Sequence, residues 1–212
     1  MSARRPLLIF PCNGNGREAR DCLGDEYECL GFVDDTPEKQ RSGAYGLRVL
    51  PRSALGELRD AAVLAVPGGP ASYQARRSII DALGVAPERF ATVVHPAARV
   101  ARLAQLGRNT LVMAGVVITS NAQIGDHVCV LPNTVIHHDV TVGSFSLIGA
   151  NVAIAGSVRI GENCYIGSGT NVKNGLQIGA RALIGLGSNV TRDVPEGAVV
   201  AGNPARPVVK RT

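Results

Sequence analysis

A six-residue hydrophobic period runs through the second half of the chain. From Val94 to Val190 every sixth residue is Val, Ile or Leu, at all 17 positions of the register. No helix accounts for this spacing, because 3.6 residues per turn would distribute these positions around its whole surface. A short strand followed by a corner accounts for it when the unit repeats and the coils stack on one core. The pattern predicts a left-handed parallel β-helix over residues 91–212.

Two further regularities accompany the aliphatic positions. The residue two before each of them is usually small or branched, as in Val128, Thr134 and Val140, and we expect it to share the interior side of the strand. Glycine directly follows eight of the 17 aliphatic residues, where we expect it to permit the bend between strands. The alternative is an ordinary β-sandwich with chance spacing, which an unbroken register of this length disfavours.

Residues 1–90 alternate between predicted strands and helices. Strands are predicted at Pro6–Pro11, Glu28–Val33 and Ala61–Val66, and helical stretches at Arg17–Leu23 and Tyr73–Leu83. This alternation predicts an α/β domain with a small parallel, Rossmann-like sheet. Its loops at the carboxyl ends of the strands are available to a ligand.

A glycine-rich segment, Asn13-Gly14-Asn15-Gly16, follows the first predicted strand. Free backbone N–H groups there could hold a phosphate at the start of a helix. The segment is not the complete Gly-x-Gly-x-x-Gly dinucleotide pattern, so a plain strand-to-helix turn is an equal alternative. Asp34 and Asp35 end the second strand, where an acid often binds ribose, but two acids at a turn also fit a solvated corner.

Composition and charge exclude several classes of protein. Hydrophobic residues form 45% of the chain and charged residues 18%, which is typical of a globular protein rather than a disordered one. The net charge of +5 comes from scattered basic residues without interleaved aromatics, so we expect no nucleic-acid partner. No apolar run suits a signal peptide or a membrane span. Five cysteines without a Cys-x-x-Cys pair indicate reduced thiols and a cytoplasmic location.

The segment Val135-Ile136-His137-His138-Asp139 carries the candidate chemistry. Ile136 keeps the six-residue register, so the residues after it continue around a corner, from which a side chain can reach a groove. Histidine is a common general base, and an adjacent acid can hold one ring tautomer. Neighbours in an extended strand point apart, so this pairing requires the corner geometry. The alternative is a set of polar corner residues with no chemical role.

These features together resemble the hexapeptide-repeat sugar acyltransferases of the PglD/NeuD type. The resemblance covers nearly the whole chain and rests on the glycine-rich loop and four further segments: FVDD at Phe32–Asp35, HPAARV at His95–Val100, NTVIHHDVTVGSFSLIG at Asn133–Gly149 and GNPAR at Gly202–Arg206. It implies acetyl-CoA-dependent N-acetylation of a nucleotide-linked 4-amino-4,6-dideoxy sugar in bacterial surface-glycan biosynthesis. O-acetylation of sialic acid or of another sugar hydroxyl is the alternative.

The resemblance also implies roles for individual residues. The family's catalytic base falls on His138 and the acid that tunes it on Asp139, with direct attack on the thioester. The acetyl-CoA site, a groove between neighbouring subunits of a homotrimer, falls on Gly156, Ser168 and Leu186. The residues implied to contact the nucleotide-linked sugar are Asn13, Gly14, Asn15, Asp34, Asp35 and His137.

Two positions depart from the family pattern. Leu147 stands where many relatives carry a histidine or asparagine that touches the acetyl carbonyl, and leucine cannot donate a hydrogen bond. That role is either absent or taken by a backbone N–H or by His137. The first loop reads Pro-Cys-Asn-Gly-Asn-Gly instead of Gly-x-x-Gly-His-Gly, which leaves the nucleotide and the sugar open.

Two other functions are compatible with a β-helix. A γ-type carbonic anhydrase needs three histidines that converge on a metal, and such spacing is not evident, so we expect no metal. The remaining histidines are expected to be structural (His95) and solvated (His127). A non-enzymatic scaffold or nucleotide-sugar sensor is the other possibility, which the His-His-Asp corner and the two-domain layout disfavour.

Overall fold

The computed structural model describes residues 4–208. Its first part is a parallel sheet of four strands in the order β3-β2-β1-β4. The elements are β1 (Arg5–Phe10), α1 (Gly14–Asp21), β2 (Tyr27–Val33), α2 (Pro37–Ser42), β3 (Val49–Leu50), α3 (Ala54–Glu57), β4 (Ala62–Ala65) and α4 (Arg76–Asp81), with 3₁₀ turns at Tyr73–Ala75 and Pro87–Arg89. Because β1 lies between β2 and β4, the carboxyl ends of these three strands meet at one edge.

The helices begin where the sequence offers a cap. The Asn13 side chain accepts a hydrogen bond from the backbone N–H of Gly16 at 2.9 Å, so α1 starts at Gly14, three residues before the predicted start. Pro37 occupies the first turn of α2, where its missing N–H costs nothing. The helix predicted over 73–83 is divided into a 3₁₀ turn and α4.

From Val93 onward the chain forms one two-residue strand in each six-residue repeat. These strands are β5 (Val93–Val94), β6 (Arg99–Val100), β7 (Gln105–Leu106), β8 (Leu111–Val112), β9 (Val117–Ile118), β10 (Gln123–Ile124), β11 (Cys129–Val130), β12 (Val135–Ile136), β13 (Thr141–Val142), β14 (Leu147–Ile148), β15 (Ala153–Ile154), β16 (Arg159–Ile160), β17 (Tyr165–Ile166), β18 (Asn171–Val172), β19 (Gln177–Ile178), β20 (Leu183–Ile184) and β21 (Asn189–Val190). Strands β22 (Val199–Ala201) and β23 (Arg206–Pro207) are the last described strands and pair antiparallel with each other.

Each repeat strand pairs in parallel with the strand one coil away, as Cys129 does with Leu147, so three strands make one coil of 18 residues. The coils form a prism with three sheets. We call them the domain-facing sheet (β5, β8, β11, β14, β17, β20, β22, β23), the groove sheet (β6, β9, β12, β15, β18, β21) and the polar sheet (β7, β10, β13, β16, β19). The predicted fold class, an α/β domain followed by a left-handed parallel β-helix, is confirmed.

Three edges join these sheets. The remote edge joins the domain-facing sheet to the groove sheet and includes residues 149–152, 167–170 and 185–188. The histidine edge joins the groove sheet to the polar sheet and includes residues 119–122, 137–140 and 155–158. The interdomain edge joins the polar sheet to the domain-facing sheet and includes residues 107–110, 125–128, 143–146, 161–164 and 179–182.

The interior of the prism is filled by the aliphatic repeat residues and by the small residues two before them. Ile136 is fully buried there. The interior hydroxyls are hydrogen bonded between coils: Thr134 Oγ1 donates to the Gly149 carbonyl at 2.7 Å, and Ser146 Oγ donates to the Gly161 carbonyl at 3.1 Å. These polar groups therefore tie one coil to the next.

The bend between strands lies at a different residue from the one predicted. A left-handed backbone conformation recurs three residues before the aliphatic positions. Its non-glycine occupants are Asn109, Asn121, His127, Asn133, Asp139, Phe145, Asn151, Ser157, Asn163 and Arg181. Asparagine and aspartate adopt this conformation more readily than other side chains do, which explains their frequency there.

The glycines that directly follow the aliphatic residues serve the stacking of coils instead. A Cβ on Gly143 would lie 2.5 Å from the backbone nitrogen of Glu162 in the next coil. The expectation that these glycines permit the bend is therefore wrong.

The α/β domain packs on the outward face of the domain-facing sheet. Leu111, Cys129 and Leu147 project from that sheet and share one buried cluster with Leu7 and Ile9 of β1. Burial of this apolar surface fixes the domain against the β-helix. Within residues 4–208, none of the helices has the length and apolar character that crossing a membrane requires.

Candidate active site

His138 and Asp139 form a hydrogen-bonded pair on the histidine edge. His138 Nδ1 lies 2.8 Å from Asp139 Oδ2. Asp139 has a φ of 59°, and this left-handed corner supplies the geometry that the pairing of two adjacent residues requires. The His138 side chain is 62% exposed, so a ligand can approach the ring.

Asn121, one coil before Asp139, holds the carboxylate from its other side. Asn121 Nδ2 donates to Asp139 Oδ1 at 2.7 Å. The hydrogen bonds from Asn121 and His138 lower the pKa of the Asp139 carboxyl below its usual value. An ionised carboxylate only accepts hydrogen bonds, so Nδ1 of His138 must donate. In the neutral ring, Nε2 then carries a free lone pair.

Gly156, one coil after His138, makes room for the imidazole. A Cβ at Gly156 would lie 2.6 Å from both Nε2 and Cε1 of His138. The ring therefore rests against glycine backbone, and any larger residue would displace it. The structure thus brings Gly156, predicted as part of the acetyl-CoA site, into contact with the predicted base.

A groove of about 440 Å³ lies on the groove sheet beside this pair. Its lining is mostly apolar, includes Ala155 and Val172, and contains one cation, Lys173. His137, predicted to contact substrate, lines this groove rather than joining the His138–Asp139 pair. Ala155 precedes Gly156 in the chain, so the groove opens beside the imidazole.

Ser168 and Leu186, the other residues predicted to bind acetyl-CoA, lie on the remote edge, across the groove sheet from His138. The Ser168 hydroxyl accepts a hydrogen bond from the backbone N–H of Ala150 at 3.1 Å. Leu186 is 81% exposed. Within one chain the structure does not bring these two residues together with Gly156.

Asn13, Gly14 and Asn15 lie at the carboxyl edge of the parallel sheet, where β1 leads into α1. Asn13 uses its side-chain oxygen as the helix cap. Asn15 Nδ2 donates to the Gly68 carbonyl at 3.3 Å, which ties this segment to residues 66–69, here called the β4 loop. A Cβ on Gly14 would meet nothing within 4 Å, so the start of α1 faces open space.

Asp34 follows β2 at the same edge, and the local structure uses its carboxylate. Oδ2 accepts from Lys39 Nζ at 2.6 Å and Oδ1 from the Thr36 N–H at 3.0 Å. Burial raises the pKa of the Asp34 carboxyl, but these hydrogen bonds outweigh burial and hold the pKa below its usual value. Asp35 Oδ2 lies 3.0 Å from Arg52 Nε in an exposed ion pair.

Leu147 lies on the domain-facing sheet and is 3% exposed. A Cβ on Gly68 would lie 3.4 Å from Leu147 Cδ1, so the leucine packs beneath the β4 loop. Within one chain it does not share an edge with His138, and it has no group that could bind an acetyl carbonyl.

His127, expected to be solvated, is half-buried at the interdomain edge. Its ring stacks on Phe145 with centroids 4.5 Å apart and meets Phe90 edge-on at 5.0 Å. Asn109 Nδ2 lies 2.9 Å from its Nδ1. Burial lowers the pKa of the His127 ring. The expectation is wrong because the α/β domain covers a corner that an isolated β-helix would expose.

Arg76 is a fully buried cation that sequence analysis missed. Its Nε donates to the Phe145 carbonyl at 2.9 Å, Nη2 to the His127 carbonyl at 2.6 Å, and Nη1 to the Pro67 carbonyl. The guanidinium thus joins the β4 loop to two coils. The sequence offered no signal for this burial, because the carbonyls that Arg76 contacts lie on the β4 loop and on distant repeats of the β-helix.

The chain matches the family model described as bacterial transferase hexapeptide (six repeats) at residues 104–138, 121–156 and 139–174. A sequence comparison with curated proteins finds no match.

Solved structures match the chain over both domains. The acetyltransferase domain of PglB from Neisseria gonorrhoeae is 27% identical, with a TM-score of 0.83 over 97% of this chain and 100% of that one. The same domain in complex with acetyl coenzyme A gives a TM-score of 0.85 at 27% identity. PerB from Caulobacter crescentus, solved with CoA and GDP-perosamine, is 25% identical, with a TM-score of 0.82 over 98% of this chain and 99% of that one.

These matches include the α/β domain and the coil that carries His138, and they confirm the resemblance inferred from the motifs. The chain is therefore an acyltransferase: residues 104–174 match the hexapeptide transferase model, and its two domains match those of the solved sugar acetyltransferases.

Proposed function

We propose that the protein transfers an acetyl group from acetyl-CoA to the amine of a nucleotide-linked 4-amino-4,6-dideoxy sugar. The observation that carries the proposal is the exposed His138 ring, which Asp139 orients at 2.8 Å. A neutral imidazole held in this way is suited to accept a proton from an attacking amine. The similarity to PerB, described as a GDP-perosamine N-acetyl transferase, favours an amine acceptor over a hydroxyl.

His138 carries one proton from the attacking sugar amine to the departing CoA sulfur. Acetyl-CoA supplies the thioester carbonyl that the sugar amine attacks. Nε2 of His138 accepts the proton that the nitrogen loses as its bond to the carbonyl carbon forms, and Asp139 stabilises the imidazolium through Nδ1–H. As the carbon–sulfur bond breaks, Nε2–H returns the proton to the sulfur, and the ring is neutral again.

The cysteines support direct transfer rather than a covalent acyl-enzyme. Cys129 and Cys164 are fully buried, and burial raises the pKa of the Cys164 thiol to about 11. A nucleophilic cysteine needs an accessible thiolate, which neither residue offers. The cysteines in the described residues are free, as expected in a reducing cytoplasm, where we place this step of bacterial surface-glycan biosynthesis.

The groove beside the base fits the chemistry of acetyl-CoA. Its apolar lining would accommodate the aliphatic arm of the coenzyme, and Lys173 would offer a cation to a phosphate. Gly156 leaves the approach to His138 Nε2 free of a side chain. Ser168 and Leu186 would complete the site from the remote edge of a neighbouring copy.

The α/β domain would hold the sugar nucleotide at the carboxyl edge of its sheet. The start of α1 at Gly14 faces open space and presents backbone N–H groups that suit a diphosphate. Asn15 and the β4 loop border this opening. Asp34 and Asp35 lie at the end of the neighbouring strand, within the same edge.

The proposed site requires two copies of the chain. The α/β domain covers the domain-facing sheet, whereas His138 lies on the histidine edge, which joins the other two sheets and is therefore opposite that domain. A second copy can bring its own α/β domain to this edge. We place both substrates between neighbouring copies of a homotrimer, in which rotational symmetry builds every site alike.

The test is a substrate screen with the purified protein. Acetyl-CoA is offered with GDP-perosamine, a UDP-linked 4-amino-4,6-dideoxy sugar or free sialic acid, and release of the CoA thiol and the product mass are followed. We expect thiol release and an acetylated product with a 4-amino sugar nucleotide. Release with sialic acid alone would support the O-acetyltransferase, and no release with any acceptor would contradict the proposal.

A further inference from the structure

Arg76 binds the two coils that carry the base and the glycine beneath it. The coil of residues 127–144 starts at the interdomain edge and passes through His138, and the coil of residues 145–162 passes through Gly156. The first residues of these coils are His127 and Phe145, and Arg76 donates to the carbonyl of each, at 2.6 Å and 2.9 Å. The guanidinium therefore lies at the level of the base along the prism axis.

The same guanidinium holds the β4 loop. Nη1 of Arg76 donates to the Pro67 carbonyl. Gly68 has a φ of 106°, and a Cβ there would lie 2.8 Å from Arg76 Cγ, so the loop backbone rests directly on the arginine stem. Only glycine combines this conformation with so close an approach.

Burial of the Arg76 guanidinium costs free energy of folding. Arg76 is fully buried, and within residues 4–208 its guanidinium meets three backbone carbonyls and the buried Cys129 thiol but no carboxylate. Burial raises the pKa of the Cys129 thiol, so this partner does not supply a negative charge. Burying a cation without an anionic partner is unfavourable, and three carbonyls offset this only in part. A planar guanidinium can address three acceptors in fixed directions, which an ammonium group cannot do. The geometry thus specifies the position of the loop rather than maximising stability.

Rotational symmetry relates the height of the β4 loop in one copy to the height of His138 in the neighbouring copy. In the proposed homotrimer we place the three-fold axis parallel to the prism. Rotation about such an axis changes no height along it, so a loop fixed at the level of His138 in one copy faces the level of His138 in the next. Adjacent coils are about 4.8 Å apart. A loop displaced by one coil would carry its ligand out of reach of the base, because a misplacement of about 1 Å already lowers turnover strongly.

We infer that Arg76 is a positioning residue, which sets the height of the sugar-nucleotide loop against His138 of the neighbouring copy. The inference rests on the proposed function and deepens it. It assigns the β4 loop to the sugar nucleotide and not to acetyl-CoA, so loss of the guanidinium should affect the two substrates unequally.

The test is the kinetics of Arg76→Lys with GDP-perosamine, or with the 4-amino sugar nucleotide that the screen identifies. We expect KM for the sugar nucleotide to rise at least about tenfold, while KM for acetyl-CoA stays within about twofold. A purely structural defect would reduce the active fraction and lower kcat without changing either KM. Arg77→Lys is the matched control, because Arg77 also joins α4 to the β-helix, through Glu162 at 2.5 Å and the Phe145 ring at 4.2 Å. Its only side-chain hydrogen bond among the described residues is to Glu162 and not to the β4 loop, so neither KM should change.

Gly68→Ala approaches the same contact from the loop, and it serves if Arg76→Lys does not fold. Its Cβ would press on the Arg76 stem, so the same KM split is expected. Hydrogen exchange of residues 66–72 adds a readout without substrate: Arg76→Lys should exchange faster there than Arg77→Lys. If Arg76→Lys and Gly68→Ala both turn over with an unchanged KM for the sugar nucleotide, the inference is overturned while the proposed function stands. Absence of turnover in the wild-type protein would overturn the proposed function and the inference with it.

Discussion

His138 Nδ1 lies 2.8 Å from Asp139 Oδ2, although the two residues are neighbours in the chain. Neighbouring side chains in a strand point to opposite faces. The left-handed backbone at Asp139 brings them to one side, and Asn121 fixes the second carboxylate oxygen from the preceding coil at 2.7 Å. The base is thus oriented by stacked coils and not by a free loop, which favours a fixed ring position.

Replacing His138 removes the proton acceptor. His138→Ala should lower kcat by about 100- to 10,000-fold, because general-base catalysis contributes on that scale. The fold should be unchanged, since the side chain is exposed and its space over Gly156 opens to solvent. Steady-state kinetics and circular dichroism check both parts, with His95→Ala as a corner-histidine control that keeps normal turnover. Near-normal turnover in His138→Ala would end the assignment of the base.

Asp139→Asn tests the charge beside the base without altering the corner, because asparagine adopts the left-handed conformation as readily as aspartate. We expect kcat to fall by between about 10-fold and 10,000-fold, because an acid that orients an imidazole contributes about 10- to 100-fold behind a metal ligand and up to about 10,000-fold behind a catalytic base. The pKa of the Asp139 carboxyl is held below its usual value, so protonation of this group should not limit wild-type turnover between pH 7 and pH 5. An equal kcat in both proteins would show that the carboxylate has no role in turnover.

Gly156→Ala tests the contact between the His138 ring and the Gly156 backbone. The new Cβ would lie 2.6 Å from Nε2 and must displace the ring, so kcat should fall at least about tenfold with the protein still folded. Gly56→Ala is the matched control, because a Cβ there meets nothing within 4 Å. If both glycine variants turn over like the wild-type protein, the described ring position is not the catalytic one.

Asp34 should contribute to stability in a pH-dependent way. Its folded-state pKa is lowered, so the contribution is present above the unfolded value of 3.8 and is lost as the pH falls through the folded value. Asp34→Asn should therefore be less stable than wild type by about 1–3 kcal/mol at pH 7, and the difference should shrink toward pH 2. Thermal melts at both pH values measure this. Asp35→Asn, which loses an exposed ion pair, should change little, and a pH-independent difference for Asp34→Asn would contradict the linkage.

The sequence predicted the elements whose determinants are local and periodic. The six-residue register placed every repeat strand, because each coil fills its interior with the same residue type at the same spacing. The corner at His138 followed from Ile136 keeping that register. The role predicted for the glycines after the aliphatic residues was wrong. At Gly143 the close approach of the next coil requires glycine, and the backbone turn does not.

The hydrophobic pattern could not predict contacts between segments that are far apart in the sequence. Arg76 and Arg77 are alike in the sequence, yet one is buried under the β4 loop and the other exposed. His127 became half-buried because a separate domain covers its corner. Asn121 could have been found, because it precedes Asp139 by one coil of 18 residues and so stacks on it.

Mixing two inactive variants tests the central claim, that His138 acts on a substrate held by a neighbouring copy. His138→Ala lacks the base, and Gly14→Trp fills the open space at the start of α1 where the sugar nucleotide would bind. Each alone should be inactive, whereas co-expressed chains should recover about one quarter of wild-type turnover, since that share of sites pairs an intact loop with an intact base. No recovery in mixed oligomers would contradict the account, because a site built within one chain is defective in every copy.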